Sequence, residues 1–260
     1  MTVGVLVDER YGAMVARQAR SAGIDLAMPI EASGHELFVL EYGTLETAEW
    51  LEHVNAFNPD QVKVLVRDNP GHAAGDRRNQ LHDLAIVSSA LHERNRTFLV
   101  ELLVPATDTQ LGTVGGHALR YDTELRPELT MRVMRDMQDA GVEPDVWKIE
   151  GLETAEAAFE IVETARRDGR RAVRCIVLGR DAPADRLDHW LQIAADTEGF
   201  YGFAIGRSIW EQPLVDHLAG RLGAHELVAQ VMRNYLHYVN AYTAARKRRT
   251  DAESRRAHRA

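Results

Sequence analysis

Short apolar runs alternate along the chain with longer segments whose apolar residues recur every three or four positions. The runs predict strands at 3–8 (VGVLVD), 26–31 (LAMPIE), 62–67 (VKVLVR), 97–104 (TFLVELLV), 146–151 (VWKIEG), 172–179 (AVRCIVLG) and 201–206 (YGFAIG). The periodic segments predict helices at 12–22, about 45–56, 76–94, 126–140, 153–168, 184–196 and 211–246, the last broken near Gly220–Gly223. Leu81, Leu84, Ala85, Val87, Ser88 and Leu91 make one such helical face. Arg126-Pro127 places proline at a helix start, and Gly141, Gly169 and Gly199 fall just past helix ends, where a left-handed residue is wanted.

Strand–helix alternation with mostly apolar strands means a parallel sheet covered by helices. Seven units are one short of an α/β (β/α)8 TIM-type barrel, and that fold class is expected. With no internal repeat, linker or change of composition, 1–245 reads as a single domain, and 246–260 as a basic, frayed tail. The longest stretch without periodicity is 105–125, Gly-rich and directly after a strand. In a barrel that is the catalytic end, so the segment is expected to be an irregular lid or substrate loop.

Residues two apart share a strand face. In VKVLVRDN, Val62, Val64 and Val66 suit packing on helices, and Lys63, Leu65 and Arg67 take the opposite face. In VWKIEG, Trp147 and Ile149 share one face, and Val146, Lys148 and Glu150 the other. Glu101 lies on a face with Leu99 and Leu103, while Asp8 and Glu31 close their strands at the carboxyl end. The pattern predicts that Lys63, Lys148, Glu101, Glu150, Glu31 and Asp8 converge on a polar cavity within an apolar shell. A set of ion pairs that merely fixes the fold is the competing reading, but that many inward charges are costly as structure alone. Desolvation and a neighbouring cation make a lysine amine nucleophilic toward carbonyls, and an adjacent carboxylate moves protons, which is Schiff-base chemistry. GFAIGRSIW sets Gly206 before Arg207 and Ser208 at a helix start, and LGRDAPAD ends the preceding strand on Gly179-Arg180. Both suit a phosphate, because a helix N-terminus presents free N–H groups.

Composition sharpens this picture in one respect. Of 31 Lys+Arg, only Lys63, Lys148 and Lys247 are lysines, and two of them lie in apolar strand runs. A guanidinium stays protonated, so lysine kept where arginine is otherwise preferred points to chemistry only an amine can do. Net charge is -8, and the last fifteen residues hold seven Arg/Lys against two acids, leaving about -13 on 1–245. So acidic a body argues against nucleic acid as a partner. The single cysteine, Cys175, sits in an apolar run and reads as a packed small hydrophobe in a reducing compartment. With no apolar stretch near 18 residues and no signal peptide, a cytoplasmic protein with no membrane contact is expected. The eleven histidines are scattered, without H-x-H or H-E-x-x-H, so no metal is expected. Nucleotide loops and a hydrolase nucleophile elbow are likewise not found.

VLVDERYGA, VKVLVRDNP, FLVELLVPATD, GVEPDVWKIEGL and GFAIGRSIW, in this order, resemble the barrel class I aldolases of the tagatose-bisphosphate and sulfofructose-phosphate kind. They resemble most the 2-deoxy-5-keto-gluconate 6-phosphate aldolase-type domain of inositol breakdown, over the chain up to about 245. The resemblance implies that Lys148 is the Schiff-base lysine, with Lys63 and Glu101 as active-site partners, Arg207 as a phosphate ligand and no cofactor. The implied reaction splits the keto-sugar acid phosphate into dihydroxyacetone phosphate and malonate semialdehyde. One departure stands out. Relatives carry an earlier strand resembling FDHRG, whereas this chain opens at Met1-Thr2-Val3 on what should be strand two. Either the start lies upstream or the barrel is open. Two alternatives follow: a catalytically impaired subunit that binds sugar phosphates, and an aldolase of this fold for another ketose phosphate. Homo-oligomerisation is left open.

Overall fold

The computed structural model describes residues 3–180 and 182–257. Its elements in chain order are β1 (Gly4–Leu6), α1 (Glu9–Ser21), β2 (Asp25–Pro29), α2 (Glu49–Phe57), β3 (Gln61–Arg67), α3 (Ala74–His92) and β4 (Thr97–Leu103). Then come α4 (Asp108–Thr113), α5 (Ala118–Arg120), a π-helical turn (Tyr121–Leu125), α6 (Arg126–Asp139), β5 (Val146–Glu150) and α7 (Ala155–Arg166). A 3-10 turn (Arg167–Gly169), β6 (Arg174–Leu178), α8 (Ala184–Asp196), β7 (Phe200–Ala204), α9 (Arg207–Leu218) and α10 (Ala224–Ala257) complete the chain. The sheet order follows the chain order from β1 to β7. The fold class is α/β of the (β/α)8-barrel type, with seven strand–helix units.

Contacts group the chain into two compact units, 1–147 with 164–173, and 148–163 with 174–260. In the first, β1–β4 pair in parallel, with Lys63 opposite Leu99 and Leu65 opposite Glu101. Val62, Val64 and Val66 are fully buried, as are Phe98 and Val100, which explains the near-continuous apolar spelling of these strands. Ala16, Leu26, Met28 and Phe57 pack α1 and α2 onto β2. In the second unit β6 pairs in parallel with β7, with a register shift at Cys175/Ile176. Cys175 is buried, as a packed small hydrophobe should be. Trp190 and Leu191 of α8 are buried, and Tyr242 of α10 donates its hydroxyl to Phe200 O at 3.0 Å.

Pro127 lies in the first turn of α6, and Gly141, Gly169 and Gly199 all have positive φ. At Gly199 a Cβ would also meet Val162 Cγ1 at 2.4 Å, so both backbone and space demand glycine. The segment 105–125 departs from expectation, for most of it is helical. Thr107 accepts from Gln110 N, and the Gln110 side chain returns to Thr107 N, a capping box that starts α4 immediately after the strand. Gly115 and Gly116, both at positive φ, follow α4. The helix expected from 211 begins at Arg207, breaks where the glycines fall, and resumes as α10, which runs on through 246–257. Asp181 and the tail residues 258–260 lie outside the described residues.

Candidate active site

In the first unit the alternation of β3 and β4 brings three charged side chains together. Lys63 Nζ donates to Glu31 Oε1 and lies 3.3 Å from Glu101 Oε2, each side chain being about nine-tenths buried. Glu31 reaches this position because the chain folds back after β2. Glu31 bridges Leu40, Ala32 N donates to Val39 O, and Glu41 N donates to Ile30 O. Gln80 of α3 anchors that fold, accepting from Phe38 N at 2.8 Å and donating to Arg67 O at 3.1 Å.

Two carboxyls facing one ammonium leave the cluster with an excess of acid. Burial pushes the Glu31 carboxyl above its ordinary range. Lys63 opposes that shift, and the Glu101 charge adds to it. Glu31 Oε2 is buried with no hydrogen-bond partner among the described residues. The cluster therefore combines a fixed cation, a carboxyl inclined to hold a proton, and an open acceptor atom. That is equipment for moving a proton in a water-poor place.

Around it stands a layer the sequence reading missed. Asp68, fully buried, takes a two-pronged bond from Arg77 at 2.6 and 2.8 Å, and Arg77 also donates to Asp136 at 2.8 Å. Asn69 and Gln110 exchange amide hydrogen bonds at 2.8 Å in both directions, and Asn69 also donates to Pro105 O. These bonds lock the exit of β3 to the exit of β4. The T-x-x-Q spelling at 107–110 was the one local signal available.

In the second unit Lys148 lies in β5 at 8% exposure, followed by Ile149 and Glu150, both buried. Arg180 Nε sits 3.0 Å from Glu150 Oε1, so two of the expected site residues meet here. Arg180 holds a left-handed backbone conformation directly after Gly179, whose missing side chain leaves room for Ile205 and Leu187. Gly206 is the N-cap residue of α9, with Arg207 and Ser208 in its first turn; Gly206 and Arg207 are exposed. Gly151 is indispensable in a steric sense, since a Cβ would sit 1.8 Å from Trp190 Cδ2. That indole is held by Glu153, which also takes Arg186.

Two further expected site residues make contacts within the first unit. Asp8 caps α1, accepting from Tyr11 N at 2.7 Å. Arg67 donates to His35 O at 3.1 Å. Among the described residues no group of three or more His, Cys, Asp or Glu is placed to hold a metal ion, and no helix is long and apolar enough to cross a membrane.

A family profile described as "Uncharacterized protein conserved in bacteria (DUF2090)" matches residues 1–246. Among curated proteins none matches. Solved structures with a similar fold include an archaeal fructose 1,6-bisphosphate aldolase, 13% identical over 81% of this chain and 87% of its own, with a TM-score of 0.55. A second archaeal fructose-1,6-bisphosphate aldolase, with its catalytic Lys covalently bound to the carbinolamine intermediate, is 16% identical over 86% and 78%, TM-score 0.54. The fructose-bisphosphate aldolase of Plasmodium falciparum, in complex with TRAP and a small-molecule inhibitor, is 13% identical over 94% and 76%, TM-score 0.64. At these identities the likeness is one of fold.

Proposed function

The chain belongs to the DUF2090 family of proteins conserved in bacteria, and from that premise we propose that it is a class I aldolase that cleaves a phosphorylated ketose through a Schiff base on Lys148. The observation that carries the reading is the placement of lysine. Of three lysines in the chain, Lys63 and Lys148 are buried within strands at 5% and 8% exposure, while arginine supplies nearly all other positive charge. An amine can attack a carbonyl and form an imine, which a guanidinium cannot, so lysine kept at buried strand positions in an arginine-rich chain suits this chemistry.

In the proposed reaction the Lys148 amine adds to the substrate ketone, and loss of water gives an iminium. By the sequence resemblance, Glu101, or in second place Glu150, takes the proton from the substrate hydroxyl. The carbon–carbon bond breaks, an aldehyde leaves, and the bond's electron pair moves onto the iminium to give an enamine. Protonation of the enamine carbon and hydrolysis release the second product and the free amine. The iminium is the electron sink, so the scheme calls for no metal. Lys63 fixes the two carboxyls and offers a cation to substrate oxygens. Glu150 and Arg180 orient the substrate, and Gly179, Gly206, Arg207 and Ser208 form the phosphate end, where the N-terminus of α9 suits an anion. The sequence resemblance points to 2-deoxy-5-keto-gluconate 6-phosphate as substrate, with dihydroxyacetone phosphate and malonate semialdehyde as products.

The test is a coupled assay for released triose phosphate across a panel of phosphorylated ketoses and the keto-deoxy acid phosphate, with and without a chelator. We expect chelator-resistant turnover that Lys148→Arg abolishes, because a guanidinium cannot form the imine. Turnover that survives Lys148→Arg, or that the chelator removes, overturns the reading.

A further inference from the structure

The hairpin of α9 and α10 presents apolar side chains to solvent at a regular spacing. On α9, Trp210, Leu214 and Leu218 recur every fourth residue, and on α10 so do Val228, Met232 and Leu236, with exposures from 36% to 77%. The two helices pack directly on one another, and Asn234 of α10 donates to Ile209 O of α9 at 2.8 Å. Each helix also has a separate buried stripe, Ile209 and Pro213 on α9, Tyr238, Tyr242 and Ala245 on α10. The exposed residues are thus a second apolar stripe on each helix, whose first is already used, and a solvated helix face is normally polar.

Charge distribution says what this face meets. Between 207 and 245, Arg207, Arg221 and Arg233 balance Glu211, Asp216 and Glu226, so this stretch is neutral. Everything before it carries -13, and the fifteen residues after it +5. Two copies of so acidic a body repel one another everywhere except at a neutral face. The basic end of α10, including Lys247 and Arg248, is then supplied beside that face as a counter-charge to the partner's acidic body. Six large apolar side chains at these exposures offer on the order of 600 Å² per copy, hence roughly 1,200 Å² in all, the lower edge of a specific interface.

We infer that the exposed α9–α10 face is the surface on which a second copy of this chain docks, face to face about a twofold axis, with the basic end of α10 lying against the acidic body of its partner. An interface at the lower edge of the specific range suits a reversible dimer rather than an obligate one. This inference is independent of the proposed reaction.

Light scattering and sedimentation of the full chain over a dilution series, at low and high salt, test it. The wild type is expected to run as a dimer that dissociates on dilution, more readily in high salt. Met232→Glu with Leu218→Glu places a carboxylate in each stripe and is expected to weaken the dimer roughly 100-fold or more, leaving circular dichroism unchanged, and Tm unchanged where both proteins are dilute enough to be monomers. Lys247→Glu with Arg248→Glu is expected to weaken it and blunt its salt dependence. Tyr11→Glu, on the exposed side of α1, is expected to leave it intact. A monomer at every concentration overturns the inference, including one whose exposed face binds some other protein. So does a dimer that survives the Met232/Leu218 pair, or one dissolved by Tyr11→Glu.

Discussion

Replacing Lys63 with methionine tests the charged cluster of the first unit. The side chain keeps its length and loses its ammonium, and Glu31 and Glu101 are left facing one another behind closed packing. At 3.3 Å and an effective dielectric near 20, the attraction between Lys63 and Glu101 is about 5 kcal/mol before desolvation is counted. Removing one partner from a buried pair typically costs about 3–5 kcal/mol, because the other charge stays buried and uncompensated. Here Glu31 loses the cation that opposes its burial, so a loss within that range is expected near neutral pH. The pH dependence is the more diagnostic part. Burial already raises the folded-state pKa of Glu31 above its ordinary 4.5, and Lys63 is what restrains that rise. A raised folded pKa gives stability that is full below the unfolded value and lost as pH climbs through the folded one. Without Lys63 the folded value climbs further. The deficit of the variant relative to wild type therefore opens as pH rises through the wild-type folded pKa of Glu31, which lies above 4.5, and narrows in acid. Urea unfolding of both proteins at intervals from pH 5 to pH 8 measures it. A deficit that is constant across that range, or a variant more stable than wild type at pH 8, refutes the electrostatic account of the cluster.

Further outcomes follow from other contacts. Arg77→Met strands the fully buried Asp68 and removes a partner of Asp136, so chemical denaturation should show a loss of about 3–5 kcal/mol. A loss below about 1 kcal/mol would mean the aspartates find other donors. Gly151→Ala drives a methyl to within 1.8 Å of the Trp190 ring and should lower Tm strongly, with a loss of about 3 kcal/mol or more; an unchanged Tm would show that α8 can yield. Thr107→Ala removes the capping box of α4 and should cost about 1 kcal/mol, with faster amide exchange confined to 107–113.

Much of this arrangement was legible in the residue order. Period-two alternation identified Lys63 and Glu101 as members of a face distinct from Val62, Val64 and Val66, and their meeting follows from the parallel register of β3 and β4. Glu31 was readable as a strand-end acid, but not its contact with Lys63, which depends on a fold-back held by Gln80 from a distant helix. The same limit hid Asn69 and Gln110, which lie 41 positions apart and look like ordinary turn and helix residues until the exits of β3 and β4 are side by side. Arg77 was one of many surface-like arginines, and only the burial of Asp68 distinguishes it. In 105–125 the glycines suggested irregular chain, because apolar periodicity is weak in helices as short as α4, while the capping signal at 107–110 was local and present. Asp8 is also the N-cap of α1, a role the residue order does not separate from that of a strand-end aspartate, since the two are spelled alike.

The central claim is an imine on one lysine, and borohydride reduction in the presence of a ketose phosphate captures it directly. Intact mass followed by peptide mapping should show a single substrate-dependent adduct on Lys148, absent without borohydride and absent in Lys148→Arg. An adduct on Lys63 or Lys247 instead, or none under conditions where substrate is cleaved, contradicts the account.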